Sequence, residues 1–351
     1  MNLYEKIKEI FILYTSKYGY YPSKTIIIDE LRRIKNNINQ LNKNIEIKRD
    51  INLNNLDILF IVKNGENYFN NIFPFIKNNL DKNSSNLRFY TYENNSSDNT
   101  KKILYKYQNP HFNIKTVDIP EHIQESQYTN IRDINLYLKQ VKYKRYINIL
   151  EARNNLLSFY KDNICLEHNI VNLKNNWVVL MDIDIIFNFN TLLKLSNKIK
   201  EYPDGIMFCA NTNYITNNKI DNKYYDIMAL NYGKYFNSNN KHNHFGIKEL
   251  FSKNKNVKGV VEIKTGFGGL AIIRKDILLS NKWDYGIPKE ANKYNCFTEN
   301  FVCEHWQFCH NINKYGKIYL VKDANAIWIE EKLYEDKKFN PKLFIKQFSL
   351  F

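Results

Sequence analysis

The sequence has no apolar run of the roughly 18 residues that a membrane-spanning helix needs. Its longest apolar run, from Trp177 to Phe187, is interrupted by Asp182 and Asp184. The apolar stretch from Ile10 to Tyr14 follows charged residues and is too short for the core of a secretory signal. We therefore expect a soluble protein without a membrane span, located in the cytoplasm.

Cysteine, glycine and proline are also scarce, at 5, 11 and 7 residues in a chain of 351. The length excludes a short disulfide scaffold, and the odd number of cysteines without a secretory signal predicts reduced thiols. The spacing of Cys296, Cys303, Cys309 and His310 differs from the close cysteine pairs of zinc sites. Abundant lysine and asparagine beside so little glycine indicate an AT-rich genome of an organism or a virus. A viral protein would act in the host cytoplasm.

Acidic residues are also few in comparison with basic residues. The 51 Lys and Arg exceed the 36 Asp and Glu and leave a formal net charge of +15. Such a surface attracts nucleotides, phosphorylated donors, nucleic acid or acidic headgroups. Because codon bias itself favours lysine, the charge does not choose among these anions. Hydrophobic residues at 44% and aromatic residues at 15% exceed the content of disordered chains, so the chain folds around a core.

The chain divides by its periodicity into three parts. Residues 1–50 have apolar side chains at helical spacing on either side of a turn from Gly19 to Ser23, which predicts a helical extension. A helix-turn-helix DNA-binding protein can contain such a turn. The Asn- and Lys-rich stretch that follows is typical of a linker, however, and does not favour nucleic acid as a partner. We assign residues 56–335 to the main domain and residues 336–351 to a C-terminal tail.

The main domain alternates short apolar runs with helical patterns. Strands are predicted at Leu56–Val62, Leu87–Tyr92, Asn113–Ile119 and Trp177–Met181, and helices at Glu66–Asn79, from Asp98 onwards, and at about Val141–Tyr160. This alternation is typical of an α/β fold with a Rossmann-like, mostly parallel sheet and flanking helices. Ligands of such sheets bind beyond the carboxyl ends of the strands.

Asp182 and Asp184 stand directly after the last of these strands. On an extended segment, side chains at i and i+2 point the same way, so both carboxylates would reach one Mg²⁺ or Mn²⁺. Such a cation would clamp a diphosphate and stabilise the charge on the leaving phosphate oxygen. The alternative is a pair of acids that faces solvent at a strand end.

Two further segments precede this strand. The turn from Glu93 to Thr100 closes a strand and caps a helix through Ser97 or Asp98. Backbone N–H groups would then face the same crevice, unless this is an ordinary Asx-rich turn. Arg145 and Arg153 lie about two helical turns apart and share a face that points either at an anion or into solvent.

Four segments in this order make the sequence resemble GT-A-fold glycosyltransferases. They are Lys63–Tyr68 after the first strand, Glu93–Thr100, Ala152–Leu157, and the apolar run that ends in Asp182-Ile183-Asp184. Within that fold, the chain looks most like the fungal mannan-polymerase mannosyltransferases and the cryptococcal capsule-associated mannosyltransferases, from about Leu56 to Trp328. The resemblance implies a GT-A-like domain, a nucleoside-diphosphate-sugar donor, and Mn²⁺ or Mg²⁺ as cofactor.

The resemblance also implies roles for individual residues. Asp182 and Asp184 would be the metal and diphosphate pair. Asp226, in the segment from Tyr224 to Leu230, matches a Tyr-Asp-x-x-Ala motif and would be catalytic. The residues that bind the nucleotide sugar would be Glu93, Asn95, Asp98, Arg145, Arg153, Asp182, Gly268 and Gly269.

The segment from Thr298 to Gln307 departs from the fungal pattern. Glu304 at a helix start would bind the acceptor or act as a catalytic general base, and His305 would complete the metal shell. The alternatives are a Glu304 that caps the helix and a His305 that is half-buried with its hydrogen bonds satisfied. The resemblance implies retention of configuration, whereas a general base at Glu304 suits inversion.

We predict a metal-dependent glycosyltransferase that moves a sugar from a GDP- or UDP-sugar to a hydroxyl group of a glycan or protein. Two alternatives stay open. A nucleotidyltransferase that makes nucleotide sugars would carry a glycine-rich, basic loop after the first strand, where this sequence has Gly65 alone. A non-catalytic module that binds glycans or nucleic acid would explain the charge and the aromatic residues without needing Asp182 and Asp184.

Overall fold

The computed structural model describes residues 23, 25–29, 31–32, 52–118, 134–166, 176–216, 219–224, 259–280, 283, 285, 304–329 and 333. Of the N-terminal extension, only residues 23, 25–29 and 31–32 belong to this part, and they are helical from residue 25. The predictions for the rest of that extension, for Asp226 and for the tail at 336–351 lie outside the described residues. The side chain of Arg145 lies outside them too.

The first half of the domain forms four strands that lie side by side. Its elements are β1 (Asn55–Val62), α1 (Glu66–Asn71), α2 (Phe73–Asp81), β2 (Asn86–Asn94), α3 (Thr100–Tyr107), β3 (Phe112–Val117), α4 (Ile134–Leu166) and β4 (Trp177–Met181). The pairs β1–β2, β2–β3 and β1–β4 are all parallel. All four predicted strands are confirmed, and β4 has its predicted bounds.

Three helices differ from the prediction, and one of them is α4, which spans Ile134–Leu166 instead of about Val141–Tyr160. The single helix predicted at 66–79 is two helices, because Pro74 lies in the first turn of α2. Proline is tolerated in a first turn but interrupts a helix interior, so a new helix begins at Phe73. Helix α3 begins after Asp98, since that carboxylate accepts hydrogen bonds from the backbone N–H groups of Glu66 and Thr100.

The second half adds strands of both directions. Its elements are β5 (Ile185–Ile186), α5 (Phe189–Glu201), β6 (Gly205–Thr216), β7 (Lys219–Tyr224), β8 (Val260–Ile263), β9 (Leu270–Arg274), α6 (Lys275–Leu279), α7 (His305–Ile312), a 3₁₀ turn (Asn313–Tyr315) and β10 (Lys317–Trp328). The strand order is β3-β2-β1-β4-β9-β6-β10-β5, with β7 paired to β6 and β8 paired to β10.

The predicted α/β class with flanking helices is confirmed, but the sheet is parallel only in part. Strand β9 runs antiparallel to both of its neighbours, β4 and β6, whereas β10 is parallel to β6. An apolar run in a sequence indicates a buried strand without indicating its direction, which is why the sequence did not predict β9's orientation.

Apolar side chains alternate between the two faces of the sheet. On one face, a cluster of phenylalanines from β1, β2, β3 and the first two helices forms the core: Phe60, Phe69, Phe73, Phe89 and Phe112. Burying each of them stabilises the fold by about 1.5–3 kcal/mol. On the other face, Ala152, Leu156 and Tyr160 of α4 pack with Leu59 and Val178. This packing fixes the position of α4 against β1 and β4.

Strand ends from both halves meet at one edge of the sheet. The carboxyl ends of β1, β2 and β4 lie there because these strands are parallel. The start of β9 lies there because Leu270 pairs with Met181 in antiparallel register. Strand β10 ends at the same edge, where Trp328 pairs with Ile185. In the described part of the chain, no helix combines the length and the apolar character that a membrane crossing requires.

Candidate active site

Asp182 and Asp184 lie in a turn at the end of β4. The backbone N–H of Asp182 donates to the carbonyl of Gly269 at 2.7 Å, and the N–H of Ile185 donates to the carbonyl of Asp182 at 3.4 Å. The carbonyl of Asp184 accepts from the N–H of Ile329 at 3.0 Å. The expectation of an extended segment is therefore wrong, because neighbouring backbone holds these residues in a turn.

The two carboxylates have separate hydrogen-bond partners. Oδ1 of Asp182 accepts from Nη2 of Arg153 at 2.9 Å, and Oδ2 of Asp184 accepts from Nε1 of Trp328 at 2.6 Å. Burial and then the negative charge of Asp182 raise the pKa of Asp184 to about 7. Burial also raises the pKa of Asp182, against the opposing charge of Arg153. The pair therefore forms a region of negative potential, which a bound cation would neutralise.

Arg153 links this turn to the start of α7. Its Nε donates to Oε1 of Glu304 at 3.0 Å, while Nη2 donates to Asp182. Its guanidinium carbon lies 5.0 Å from the centre of the Phe267 ring and 5.8 Å from that of Tyr285. Burial lowers the pKa of Arg153, but the charges of Asp182 and Glu304 outweigh it and raise the pKa well above its ordinary value. Arg153 is therefore a permanent cation engaged with two carboxylates.

Glu304 directly precedes α7, as predicted, but its side chain makes no capping hydrogen bond to the helix. The carboxylate contacts Arg153 instead. The alternative in which Glu304 caps the helix is therefore wrong. Its Oε1 also lies 3.4 Å from Nε2 of His305.

His305 is almost fully buried, with 1% of its surface exposed. Its ring stacks on Phe267 with centroids 4.2 Å apart and meets the edge of the Tyr285 ring at 5.4 Å. Burial and then the charge of Arg153 lower the pKa of His305 to about 3, so the ring is neutral at physiological pH. Neither ring nitrogen has a hydrogen-bond partner among the described residues. The alternative of a half-buried, satisfied histidine is therefore wrong.

Carboxylate oxygens, which Asp182 and Asp184 supply at this edge, are the ligand type that hard divalent cations prefer. Oδ2 of Asp182 lies 3.5 Å from the place that a Cβ on Gly269 would occupy. Within the described ranges, no third acid, histidine or cysteine joins the two aspartates in a metal-binding group. Mg²⁺ is commonly bound by one or two carboxylates together with substrate phosphates and water. A cation at this pair, and His305 as one of its ligands, therefore stay predictions.

Gly268 and Gly269 form the turn into β9 beside these acids. Their φ angles of 67° and 71° lie in the left-handed region that favours glycine. A Cβ on Gly269 would lie 2.5 Å from Cδ1 of Ile185, so the backbone of this turn approaches the Asp182 turn too closely for a side chain. The carbonyl of Gly268 accepts from the hydroxyl of Thr212. The predicted contact of the two glycines with the sugar stays a prediction.

The turn after β2 is tied to the loop after β1. The backbone N–H of Glu66 donates to Asp98 at 3.0 Å, and Asn95 adopts a left-handed φ of 52°. Oε1 of Glu93 accepts from the N–H of Ser96 at 2.7 Å, whereas its buried Oε2 has no hydrogen-bond partner among the described residues. Asp98 therefore connects the two loops, and Glu93 has one carboxylate oxygen at the edge of the sheet that its turn does not use.

Three aromatic residues of this site were missed by the sequence reasoning. Trp328 donates a hydrogen bond to Asp184, while the ring centres of Phe267 and Tyr285 lie 5.0 Å and 5.8 Å from the guanidinium carbon of Arg153. The position of Phe267 beside Gly268 was the one available signal. A hydrogen bond between an indole and a carboxylate 144 positions away leaves no pattern in the sequence.

No protein-family model and no curated protein sequence matches the chain. Solved structures do match. The chain is similar to S. aureus TarS 1-349 in complex with UDP-GlcNAc, with 13% identity over 83% of this chain and 64% of that chain and a TM-score of 0.41. It is also similar to GalNAc-T7 with UDP, GalNAc and Mn²⁺, with 11% identity over 94% of this chain and 53% of that chain and a TM-score of 0.43. Both are GT-A glycosyltransferases, and this chain spans less than two thirds of either. Likenesses of this size do not decide the function, which rests on the geometry of the site.

Proposed function

We propose that the protein is a glycosyltransferase that moves a sugar from a nucleoside-diphosphate donor, a UDP- or GDP-sugar, to a hydroxyl acceptor on a glycan or protein. The observation that carries the proposal is the pair of partly buried carboxylates, Asp182 and Asp184, at the carboxyl end of β4. Their burial and mutual repulsion, seen in the raised pKa of Asp184, favour occupation by a cation. The net charge of +15 favours an anionic donor.

Asp182 and Asp184 would hold Mn²⁺ or Mg²⁺, which when bound would stabilise the charge on the leaving diphosphate. The chain's own residues prepare this site. Arg153 fixes the orientation of the Asp182 carboxylate, and Trp328 fixes that of Asp184. Polar groups that are already oriented need little reorganisation during the reaction.

Glu304 is the residue that we propose for the acceptor. Its carboxylate lies at the same edge as the aspartates, joined to them through Arg153. A carboxylate in this position can accept a hydrogen bond or a proton from an acceptor hydroxyl. Glu93 is proposed for the donor nucleotide because its buried Oε2 is unpartnered within the described ranges. The roles of Asp226 and Arg145 are proposals that rest on the sequence resemblance.

The test is thermal unfolding of the purified protein with UDP-, GDP- and CMP-sugars, each with and without Mn²⁺. We expect one donor class to raise the midpoint only when the metal is present. A ligand at a hundred times its Kd stabilises the native state by about 2.7 kcal/mol. That donor is then assayed for release of nucleoside diphosphate in the presence of glycan acceptors.

Asp204→Asn is the matched control, because Asp204 lies before β6 at the opposite edge, bound to Tyr319 and Lys317. The donor should raise the unfolding midpoint of this variant by as much as it raises that of the unchanged protein. A protein that no donor stabilises under either condition would contradict the proposal. Release of inorganic diphosphate from a nucleoside triphosphate and a sugar phosphate would identify a nucleotidyltransferase instead.

A further inference from the structure

The side chain of Arg153 bridges two acids that come from distant parts of the chain. Its Nη2 lies 2.9 Å from Oδ1 of Asp182, and its Nε lies 3.0 Å from Oε1 of Glu304. Asp182 follows β4, and Glu304 precedes α7. Two of the guanidinium nitrogens are therefore engaged with protein carboxylates rather than directed at a ligand.

The aromatic surroundings leave little of this guanidinium open. Its side chain is 9% exposed, and the rings of Phe267 and Tyr285 lie 5.0 Å and 5.8 Å from its central carbon. A donor phosphate that bound Arg153 directly would have to compete with two carboxylates for a guanidinium that is almost fully covered. The sequence expectation of a direct arginine–phosphate contact is therefore not the role that this environment favours.

The neighbours of Arg153 on α4 fix its position. Asn154 forms a reciprocal pair with the backbone of Tyr285, donating to its carbonyl at 2.7 Å and accepting from its N–H at 2.8 Å. Asn155 donates to the hydroxyl of Tyr92 at 3.1 Å. Helix α4 is thus anchored directly after Arg153, which limits the positions that the guanidinium can take relative to both acids.

We propose that Arg153 is a positioning residue that holds Asp182 and Glu304 in one charge-paired unit and acts on transfer through these two carboxylates, not by binding donor phosphate. This inference rests on the proposed function. It joins the donor side of the site, at Asp182, to the acceptor side, at Glu304. Glu304 makes no side-chain capping bond to α7, and its Oε1 accepts from Nε of Arg153 at 3.0 Å.

Arg88 offers a matched control for a merely structural arginine. It is equally buried, pairs with the buried Asp57 at 2.6 Å, and lies over the ring of Tyr90. It belongs to β2 at the end of the sheet away from the aspartate pair. Arg88→Met should therefore lower the melting temperature without lowering kcat.

The first measurement compares Arg153→Met, Arg153→Lys and Arg88→Met in the transfer reaction, with donor Kd from calorimetry. We expect Arg153→Met to lower kcat by at least about 100-fold, at the lower end of the effect of losing an acid–base group, and to weaken donor Kd by a much smaller factor, through the disturbed Asp182 alone. Arg153→Lys should recover part of kcat because it keeps the charge but not the planar fork. A donor Kd weakened about tenfold or more with kcat unchanged would overturn the proposal, as would equal kcat losses in Arg153→Met and Arg88→Met.

The second measurement is a double-mutant cycle with Glu304→Gln, run with Arg153→Lys if Arg153→Met does not fold. If Arg153 acts through Glu304, its replacement should cost at least about tenfold less in kcat when Glu304 is already Gln. Losses that simply multiply would overturn the inference. If the unchanged protein transfers no sugar, the proposed function fails. The free energies of unfolding of the same four proteins then test whether Arg153 and Glu304 act as one unit. Coupled losses then support the charge-paired unit, and additive losses overturn it.

Discussion

Asp184 is an acid whose surroundings oppose its charge. Burial and the neighbouring Asp182 raise its pKa to about 7, although Trp328 donates a hydrogen bond to it. An acid with a raised pKa in the native state binds a proton there at a pH where the unfolded chain has lost it. Its contribution to stability is therefore favourable at acid pH and is lost as the pH rises from about 4 to about 7. A residue that costs stability at neutral pH is typical of a binding or catalytic site.

Asp184→Asn should abolish sugar transfer and, without metal, raise the free energy of unfolding at pH 7.5. The amide removes the buried negative charge and can still accept from Trp328. The advantage of the variant should shrink as the pH falls from about 7 to about 4 and stay constant below about pH 3, where the carboxyl group is protonated in both states. Urea unfolding at several pH values measures this, with Asp204→Asn as the control. A variant that is less stable than the unchanged protein at every pH would show that Asp184 is structural.

At the scale of elements, the close approach between the β9 turn and the β4 turn shapes the site. The carbonyl oxygen of Gly269 accepts a hydrogen bond from the N–H of Asp182 at 2.7 Å. The absence of a side chain on Gly269 leaves room for Ile185. The two turns are held together by backbone, so the aspartates are placed by the strands rather than by flexible loops.

Gly269→Ala should destabilise the protein by about 1–3 kcal/mol, the usual cost of an overpacked position, and should weaken Mn²⁺-dependent donor binding. Gly259→Ala is its control. Gly259 has a similar φ of 75°, but a Cβ there would meet only Asp323 at 4.0 Å. If the cost came only from the positive φ, the unfolding midpoint would fall equally in both variants. Chemical unfolding and donor titration compare them, and equal behaviour in both assays would show that the close approach is unimportant.

The sequence predicts elements well where the signal is local. Strand β4 is a continuous apolar run between polar segments, and its bounds were predicted without error. The turn at Asp182 was not predicted, because it depends on the backbone of Gly269 and Ile329. The partner of Arg153 was not predicted either, since Glu304 is 151 positions away. Local periodicity places a residue on an element, whereas the pairing of elements decides what that residue contacts.

At the scale of the whole molecule, Asp57 of β1 connects β2, α4 and α6 at the edge opposite the aspartate pair. Its carboxylate accepts from Tyr160 of α4 at 2.6 Å and from Arg88 of β2 at 2.7 Å, and it lies 2.9 Å from Nζ of Lys275. This buried group was also missed by the sequence reasoning, because its partners come from three other elements, β2, α4 and α6. Burial raises the pKa of Asp57, but Lys275 and Arg88 outweigh it and lower the pKa below the ordinary 3.8.

Asp57→Asn should cost about 3–5 kcal/mol of unfolding free energy, because two cations stay buried without their carboxylate. A lowered native pKa means that the stability from Asp57 is fully present above about pH 4. It is lost as the pH falls through the native value. The difference in unfolding free energy between the variant and the unchanged protein should therefore be constant near neutral pH and become smaller in strong acid. Denaturant unfolding against pH measures it, with Asp81→Asn, an exposed acid paired with Lys77, as the control. A deficit that is the same at pH 2 and at pH 7 would be evidence against this account.

Strand β9 also determines when the sheet can be completed during synthesis of the chain. It pairs with β4 on one side and with β6 on the other, and among the described strands it is the link between the two halves of the sheet. A ribosome adds about 5–20 residues per second, so β4 exists for several seconds before β9 emerges. Over that time Trp177–Met181 is the unpaired edge of a parallel sheet, with apolar side chains throughout, and such an edge invites pairing with other chains. The nascent sheet is therefore open to mispairing in this interval, and Arg153 meets its second carboxylate only after the chain has been made as far as Glu304.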